Sequence, residues 1–370
     1  MTLRIAMVGA CPYPVPQGSQ VLLRDTALAL RARGHEVHLV VYGSGLGDDG
    51  TGLPVHRGRR LPGDQRTAAG PFPMKPLLDL DLVRVLRRVV REQRIDVVHA
   101  HNYEALLVAL SARKRPVVYH AHNAMSDELP YYFHGSRTAA RAGRWLDRRF
   151  PSRADCVIAP HRRLAGHLIV RGCDPARVAI VPPPLDVAAF EQCAVGKTTP
   201  PVVYAGNLDP YQNLGLLYEA VDRLRARLPE ARLLIASAEA PQTPRAEFVY
   251  TPDFDALRPL LAEDSVFAVP RVSWSGYPIK LLNAMAAGKA IVACESAAYP
   301  LLDRVSGLIV PDNDAAAFAE ALHELVTNPK LRAELGRNAR ETILAEHRPD
   351  LVAEQIETLD LRLLGSTSES

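Results

Sequence analysis

The chain has 370 residues, 48% of them hydrophobic and 23% charged, with a formal net charge of +3. That length is too great for one comfortable core and sets two domains as the expectation, while so small a net charge gives no ground for a nucleic-acid partner. The five cysteines, Cys11, Cys156, Cys173, Cys193 and Cys294, are scattered, odd in number and without metal-ligand spacing, which reads as reduced thiols in a cytoplasmic protein. No apolar run approaches membrane-spanning length, and the opening M-T-L-R-I-A-M-V-G-A is too short for a signal peptide and reads as a strand. The Arg, Ala and Pro bias reads as the mark of a GC-rich genome.

In chain order, the apolar run at 3–10 leads into the loop C-P-Y-P-V-P-Q-G-S-Q, and a helix from about Val21 to Arg33 stops at Gly34. E-V-H-L-V-V-Y follows as a strand and completes a βαβ unit, which implies a right-handed parallel crossover. Residues 43–70, rich in Gly, Pro and charge, read as the least structured internal stretch. Further strands are expected at 96–101, 116–121, 155–160 and 178–182, before a polar break without periodicity at 191–200. The pattern then restarts with strands at 201–206, 231–237, 265–270, 289–294 and 307–311, and with helices between them, one from Asn213 to Leu228. A last helix is expected at 346–364 and a disordered tail at 365–370. The spacing therefore predicts an α/β chain of two Rossmann-like, doubly wound domains, 1–190 and 191–345; the helix at 346–364 is separately expected to pack back towards the first. Ligands in such sheets sit beyond the carboxyl ends of the strands, and two facing domains would offer two substrates a shared cleft.

The stretch 275–289, S-G-Y-P-I-K-L-L-N-A-M-A-A-G-K, reads as a turn running into a helix, with Pro278 suited to the first helical position and Gly288 to the stop. Lys280 then stands in the first turn, where the helix dipole disfavours a cation. Two readings are open. An anion bound at the helix N-terminus would meet backbone N–H groups near Tyr277 to Lys280 and the ammonium itself. Otherwise Lys280 is an exposed lysine that costs about a few tenths of a kcal/mol.

Other patterns are also two-sided. In P-V-V-Y-H-A-H-N, His120 and His122 share a strand face. Two ligands do not make a metal site, so hydrogen bonding in a half-buried strand competes with a role at the strand end. Arg137, Arg141, Arg144 and Arg148 recur at helical spacing with Trp145 and Phe150 among them. The segment 137–153 is either a solvated helix or a peripheral contact with anionic lipid at the inner face of the membrane. The first loop lacks the G-x-G-x-x-G fingerprint, which argues against a nicotinamide dehydrogenase.

The order and spacing of several segments resemble family 4 of the retaining GT-B glycosyltransferases along nearly the whole chain. They are P-Y-P-V-P-Q-G-S-Q, D-V-V-H-A-H-N, P-V-V-Y-H-A-H-N, R-A-D-C-V-I-A-P, I-V-P-P-P-L-D, the stretch from Ser275 to Ala293, and G-L-I-V-P-D-N-D. The resemblance implies transfer of a sugar, with retention, from a nucleoside-diphosphate sugar, UDP- or GDP-linked, to a hydroxyl of a small-molecule, glycan or lipid-linked acceptor. It implies neither a metal nor a further cofactor. It places His122 near the transferred sugar as a catalytic residue beside Lys280. The glycine loop at Gln17, Gly18 and Ser19 would face the donor phosphates or the acceptor, unless it is a plain strand-to-helix turn. Gly276, Tyr277, Pro278, Ile279 and Lys280 would hold the diphosphate, Asn283 the ribose, Ser275 the donor sugar, and Tyr250 and Thr251 the base.

This chain departs from the family pattern at four of these positions. Ser275 and Asn283 stand where the family has two glutamates, and Asn207 and Gln212, assigned to the donor diphosphate, stand where it has an Arg and, five residues on, a Lys that neutralise that diphosphate. Pro183-Pro184 also replaces a usual Asn-Gly at the domain junction. Lys280 is read as supplying part of the missing charge, with Arg271 within reach. A catalytically inactive homologue serving as a nucleotide-binding or partner subunit is the alternative, and altered GT-B chemistry a third reading.

Overall fold

The computed structural model describes all residues except 16, 17, 46, 49, 63, 65–69, 71, 113, 114, 134, 242 and 368–370, together with the side chains of 366 and 367. The chain divides into two compact units, Met1–Pro184 with Pro349–Ser370, and Leu185–Arg348.

In the first unit the strands are β1 (Arg4–Gly9), β2 (Glu36–Val41), β3 (Val55–Arg57), β4 (Val97–His101), β5 (Val117–His120), β6 (Cys156–Ala159) and β7 (Val178–Ile180). The helices are α1 (Gly18–Ala32), α2 (Lys75–Glu92), α3 (Tyr103–Ala112), α4 (Met125–Tyr132), α5 (Arg137–Arg149) and α6 (Arg162–Val170). All neighbours in the sheet are parallel and run in the order β3-β2-β1-β4-β5-β6-β7. The inner strands β4, β5 and β6 are buried at every residue, which is what a parallel sheet covered by helices on both faces requires. Their near-continuous apolar runs supply that burial. The order reverses between β1 and β4, which makes the carboxyl ends of these two strands the switch point of this unit.

The second unit repeats the plan. Its elements are β8 (Val202–Ala205), α7 (Leu214–Arg227), β9 (Leu233–Ser237), β10 (Glu247–Tyr250), α8 (Phe254–Ala262), β11 (Val266–Val269), α9 (Ile279–Ala286), β12 (Ala290–Cys294), β13 (Leu308–Val310), α10 (Ala315–Thr327) and α11 (Pro329–Glu346). The parallel order is β10-β9-β8-β11-β12-β13, so the switch point falls between β8 and β11. Asp253, Asp314 and Asn328 cap α8, α10 and α11 by accepting from backbone N–H groups of the first turn. Gly288 ends α9 at φ +72°, a conformation that glycine adopts without a steric cost.

The closing helix α12 (Pro349–Thr367) belongs to the first unit. Val352, Ala353 and Ile356 enter the same core as Leu3, Ile5, Leu23 and Leu30. It runs three residues past the expected end, so 365–367, read from sequence as tail, are helical, while 368–370 lie outside the described residues.

Two further features differ from the sequence reading. The short edge strands β3 and β10 were not expected. The first unit ends at Pro184 rather than near 190, because Leu185, Val187 and Phe190 are buried in the core of the second. The polar break at 191–200 is pinned by distant partners. The N–H groups of Gly196 and Lys197 each donate to Asp264 Oδ2 at 2.8 Å, and Arg332 Nη2 donates to the Lys197 carbonyl at 2.7 Å.

Candidate functional site

In the second unit, the switch point directs attention to the loop after β8, the loop after β11 and the N-terminus of α9. The β8 loop is built around Tyr204, whose hydroxyl donates to the Asn207 carbonyl at 2.6 Å. A side chain on Gly206 would stand 2.4 Å from that hydroxyl, so glycine is required there. Gln212 Nε2 donates to Asn207 Oδ1 at 2.5 Å, and Asn207 Nδ2 donates to the Tyr211 hydroxyl at 2.9 Å and to Asp209. Asn207 and Gln212, named from sequence for the diphosphate, are thus brought together as one exposed amide pair.

Arg271 joins them. Its guanidinium lies 5.1 Å from the centre of the Tyr211 ring and donates to the Ser273 carbonyl at 3.2 Å and to Ser273 Oγ at 3.1 Å. A Cβ on Gly276 would meet Arg271 Nη2 at 2.5 Å, so the guanidinium occupies the space that a side chain at 276 would fill. Substituting Gly276→Val is therefore expected to displace Arg271 and weaken binding of a diphosphate at least ~10-fold, the loss of about one charge-assisted hydrogen bond. Calorimetric titration of the variant checks this; unchanged affinity would show that Arg271 does not serve the anion. Sequence reading put Arg271 in reach but missed Tyr211, the ring that carries it. An aromatic inside the polar loop G-N-L-D-P-Y-Q-N was the available signal.

The first N–H groups of α9 have no intrahelical acceptor, and the dipole gives this end positive character. Lys280 adds an ammonium that pairs with no described residue. The side chain still meets solvent, but desolvation by the surrounding protein lowers its pKa to about 8. Asn283, half-buried, follows three positions later and shares the helix face with Lys280. Arg271 and the Asn207–Gln212 pair meet at this switch point, and Lys280 and Asn283 stand on the helix that follows Gly276; cations, amides and a helix N-terminus are groups suited to a polyphosphate.

Other expected contacts are corrected. Ser275 is 1% exposed, so its hydroxyl lies beneath the surface rather than presented to a sugar. Tyr277 is likewise buried, with its hydroxyl 3.3 Å from His347 Nε2 and its ring edge-on to Tyr299, which leaves only its backbone available. Pro278 caps α9 and Ile279 opens it. Tyr250 ends the edge strand β10 and is 63% exposed. Thr251 follows, with its N–H donating to the Ser237 carbonyl at 2.9 Å. Both stand two strands out from β8, roughly 10 Å by ordinary strand spacing, a distance a nucleoside can cover.

In the first unit, Gly18 and Ser19 open α1 and are exposed, while Gln17 lies outside the described residues. His122 follows β5 and is half-buried. It lines a small cavity with Leu22, Thr26, His120, Val181 and Pro183. Burial lowers its pKa to about 4, so the ring is neutral at physiological pH. Among the described residues, no group of three His, Cys, Asp or Glu side chains is placed to hold a metal ion.

The outer face of α5 is basic, with Arg137, Arg141, Arg144 and Arg148 exposed and Trp145 58% exposed. Its inner face is fixed by buried Asp147, which accepts from the N–H groups of Met125 at 2.8 Å and Ser126 at 3.1 Å and lies 3.0 Å from His167 Nε2. No helix among the described residues is long and apolar enough to cross a membrane.

Two parallel sheets, each with its own switch point, are the architecture of the GT-B class. Residues 17–184 match the family described as "Glycosyl transferase 4-like domain", and residues 199–328 match "Glycosyl transferases group 1". The chain belongs to this family of GT-B glycosyltransferases. Among its relatives, the phosphatidyl-myo-inositol mannosyltransferase of Mycolicibacterium smegmatis is 26% identical, covering 94% of this chain and 90% of its own. A D-inositol 3-phosphate glycosyltransferase of Kribbella flavida is 28% identical over 75% of this chain and 76% of its own. Of solved structures, the sucrose-phosphate synthase of Thermosynechococcus elongatus superposes with a TM-score of 0.81 at 19% identity, covering 98% of this chain and 100% of that one. Anabaena HepE in complex with UDP-glucose superposes with a TM-score of 0.69 at 18% identity, over the full length of both chains. These structural likenesses establish the fold.

Proposed function

We propose that the chain transfers a sugar from a nucleoside-diphosphate sugar to an acceptor hydroxyl, with retention at the anomeric carbon and without a metal. The observation that carries this reading is the contact of Arg271 with the Tyr211 ring beside the Asn207–Gln212 pair, next to the turn into α9, the helix that bears Lys280. Family members neutralise the diphosphate with an Arg and a Lys on the β8 loop, whereas this chain has amides there. Arg271 and Lys280 take over that charge from the β11 side of the same switch point. In the reaction, the bond from the anomeric carbon to the diphosphate oxygen breaks as the acceptor oxygen bonds to the same face. The acceptor proton leaves with the diphosphate, whose growing negative charge the two cations stabilise.

Asn283 is assigned to the ribose, where an amide can both donate and accept. His122, in the first unit, is assigned to the transferred sugar. Solved GT-B neighbours carry UDP and UDP-glucose, which supports a nucleoside-diphosphate sugar as donor here, with a GDP-linked one as the other candidate. Incubating the protein with sugar nucleotides in EDTA and following nucleoside-diphosphate release tests the assignment; release that requires an added divalent metal would contradict it.

The exchanged residues favour one further reading, a nucleotide-binding homologue without turnover. It predicts nucleotide binding with no release of diphosphate from any sugar nucleotide.

The basic face of α5 is proposed as a peripheral contact with anionic lipid, in keeping with relatives whose names include a phosphatidylinositol acceptor. Liposome flotation should show binding to vesicles containing anionic lipid that weakens about 10-fold or more on raising salt from 0.1 to 0.5 M. Equal binding to neutral vesicles, or none to either, would remove the contact.

A further inference from the structure

His101 and His120 end β4 and β5 and are register partners, His122 follows β5, and His99 lies within β4. They form two hydrogen-bonded chains joined by a ring stack. In the first chain, Asp360 of α12, fully buried, lies 3.0 Å from His99 Nε2, and His99 Nδ1 lies 2.9 Å from His120 Nε2. A carboxylate only accepts, so His99 donates from Nε2 and its Nδ1 lone pair accepts from His120 Nε2–H. That bond fixes the plane of the His120 ring. His101 lies on this ring, with centroids 4.1 Å and planes 14° apart. In the second chain, His101 Nδ1 lies 3.3 Å from His122 Nε2.

The direction of the second bond follows from the far side of His101. Its Nε2 is buried and has no hydrogen-bond partner among the described residues. An orphaned N–H in the interior is the costlier state, and a bare lone pair is better tolerated. The proton of His101 therefore sits on Nδ1 and is donated to His122 Nε2, which leaves the proton of His122 on its own Nδ1. Burial, and then the neighbouring histidines, push the pKa of His101 well down, which removes an imidazolium as the alternative. His122 Nδ1 has no hydrogen-bond partner among the described residues, and the ring is half-buried.

We propose that His101 is a positioning residue that holds His122 as the Nδ1–H tautomer, so that His122 offers a ligand a hydrogen-bond donor rather than a lone pair. Asp360, His99 and His120 act behind it by fixing the ring on which His101 stacks. The use of that donor by a sugar oxygen rests on the sugar-transfer reading; the tautomer does not. In this state His122 orients a hydroxyl or ether oxygen and takes no proton through Nδ1.

The test is long-range proton–nitrogen NMR of the full chain labelled with ¹⁵N-histidine, with His122 assigned by the resonances lost in His122→Gln. In the wild type, His122 Nε2 is expected in the shift range of a bare ring nitrogen and Nδ1 in that of a protonated one. His101→Phe keeps a ring on His120 but removes the donor, and His122 should move towards the Nε2–H form. His101→Asn restores a donor close to the position of Nδ1 and should return the wild-type pattern. Protonation of His122 on Nε2 in the wild type overturns the proposal, as does a pattern that His101→Phe leaves unchanged. Should His101→Phe fail to fold, the wild-type spectrum decides alone. Titration of UDP and GDP into the same samples separates the two readings. Loss of all nucleotide binding with the tautomer intact would count against sugar transfer, not against this pairing.

Discussion

Lys280→Ala is expected to bind the donor nucleotide about 10- to 100-fold more weakly than the wild type, the loss of one charge-assisted contact worth about 1.5–3 kcal/mol. The effect is large on a thermal-shift scale. A ligand at about 100 times its dissociation constant stabilises a protein by about 2.7 kcal/mol, and a 100-fold weaker one at the same concentration by only about 0.4 kcal/mol. The stabilisation should thus nearly vanish. Without ligand the variant should instead melt slightly higher. The pKa of Lys280 in the fold, about 8, lies below its ordinary value of 10.5, so the fold disfavours the charged form. That penalty is fully present below about pH 8 and fades as pH rises towards 10.5. Diphosphate affinity should follow the same course, holding steady below pH 8 and falling above it as the ammonium is lost. A variant that keeps both affinity and pH profile would show Lys280 to be an ordinary exposed lysine.

Arg332→Met is expected to destabilise the second unit by about 3–5 kcal/mol, the usual cost of leaving one partner of a buried ion pair alone. Arg332 is 1% exposed and Asp264 4%. The guanidinium donates to Asp264 at 3.1 and 3.3 Å and to the carbonyls of Leu325, Val326 and Lys197 at 2.8, 2.9 and 2.7 Å. Methionine of similar length fills the space but leaves those carbonyls without a donor. For a unit of this size the loss corresponds to a fall of roughly 10 °C in melting temperature. The acid side carries a second signature. Burial pushes the Asp264 carboxyl up, but the N–H groups of Gly196, Arg332 and Lys197 outweigh it and hold its pKa below the ordinary value. A carboxyl so depressed adds stability above its unfolded pKa, and that stability is lost as pH falls through its folded pKa. Removing Arg332 raises the folded pKa, so acid unfolding of the variant should begin at higher pH. An unchanged acid midpoint would show that the pair does not secure the segment 191–200.

That segment shows what the sequence could and could not convey. Its polar, aperiodic run marked a change of unit correctly, because periodicity reports apolar faces. The partners that pin it, Asp264 and Arg332, lie about 70 and 135 residues away, a separation that local pattern does not encode. Inner strands such as V-V-H-A-H and A-I-V-A-C were legible because both faces are buried. The edge strands β3 and β10 were not, since three- and four-residue runs with partial exposure carry no alternation.

At the site, Gly276 and Lys280 could be placed from the turn-helix grammar alone. Resemblance to the family was needed to associate Asn207, Gln212 and Asn283 with a nucleotide. Resemblance also suggested Ser275 for the sugar, and there burial overruled it. The Arg271–Tyr211 contact crosses from one strand end to another, and only the fold brings those residues together.

Calorimetric titration of UDP, GDP and ADP in EDTA asks whether the second unit holds a nucleoside diphosphate without metal. One of them is expected to bind at micromolar concentration in the wild type, with affinity lost in Lys280→Ala. No heat from any of them at millimolar concentration would contradict it and leave the Asn207, Gln212 and Asn283 exchanges as marks of a donor site no longer in use.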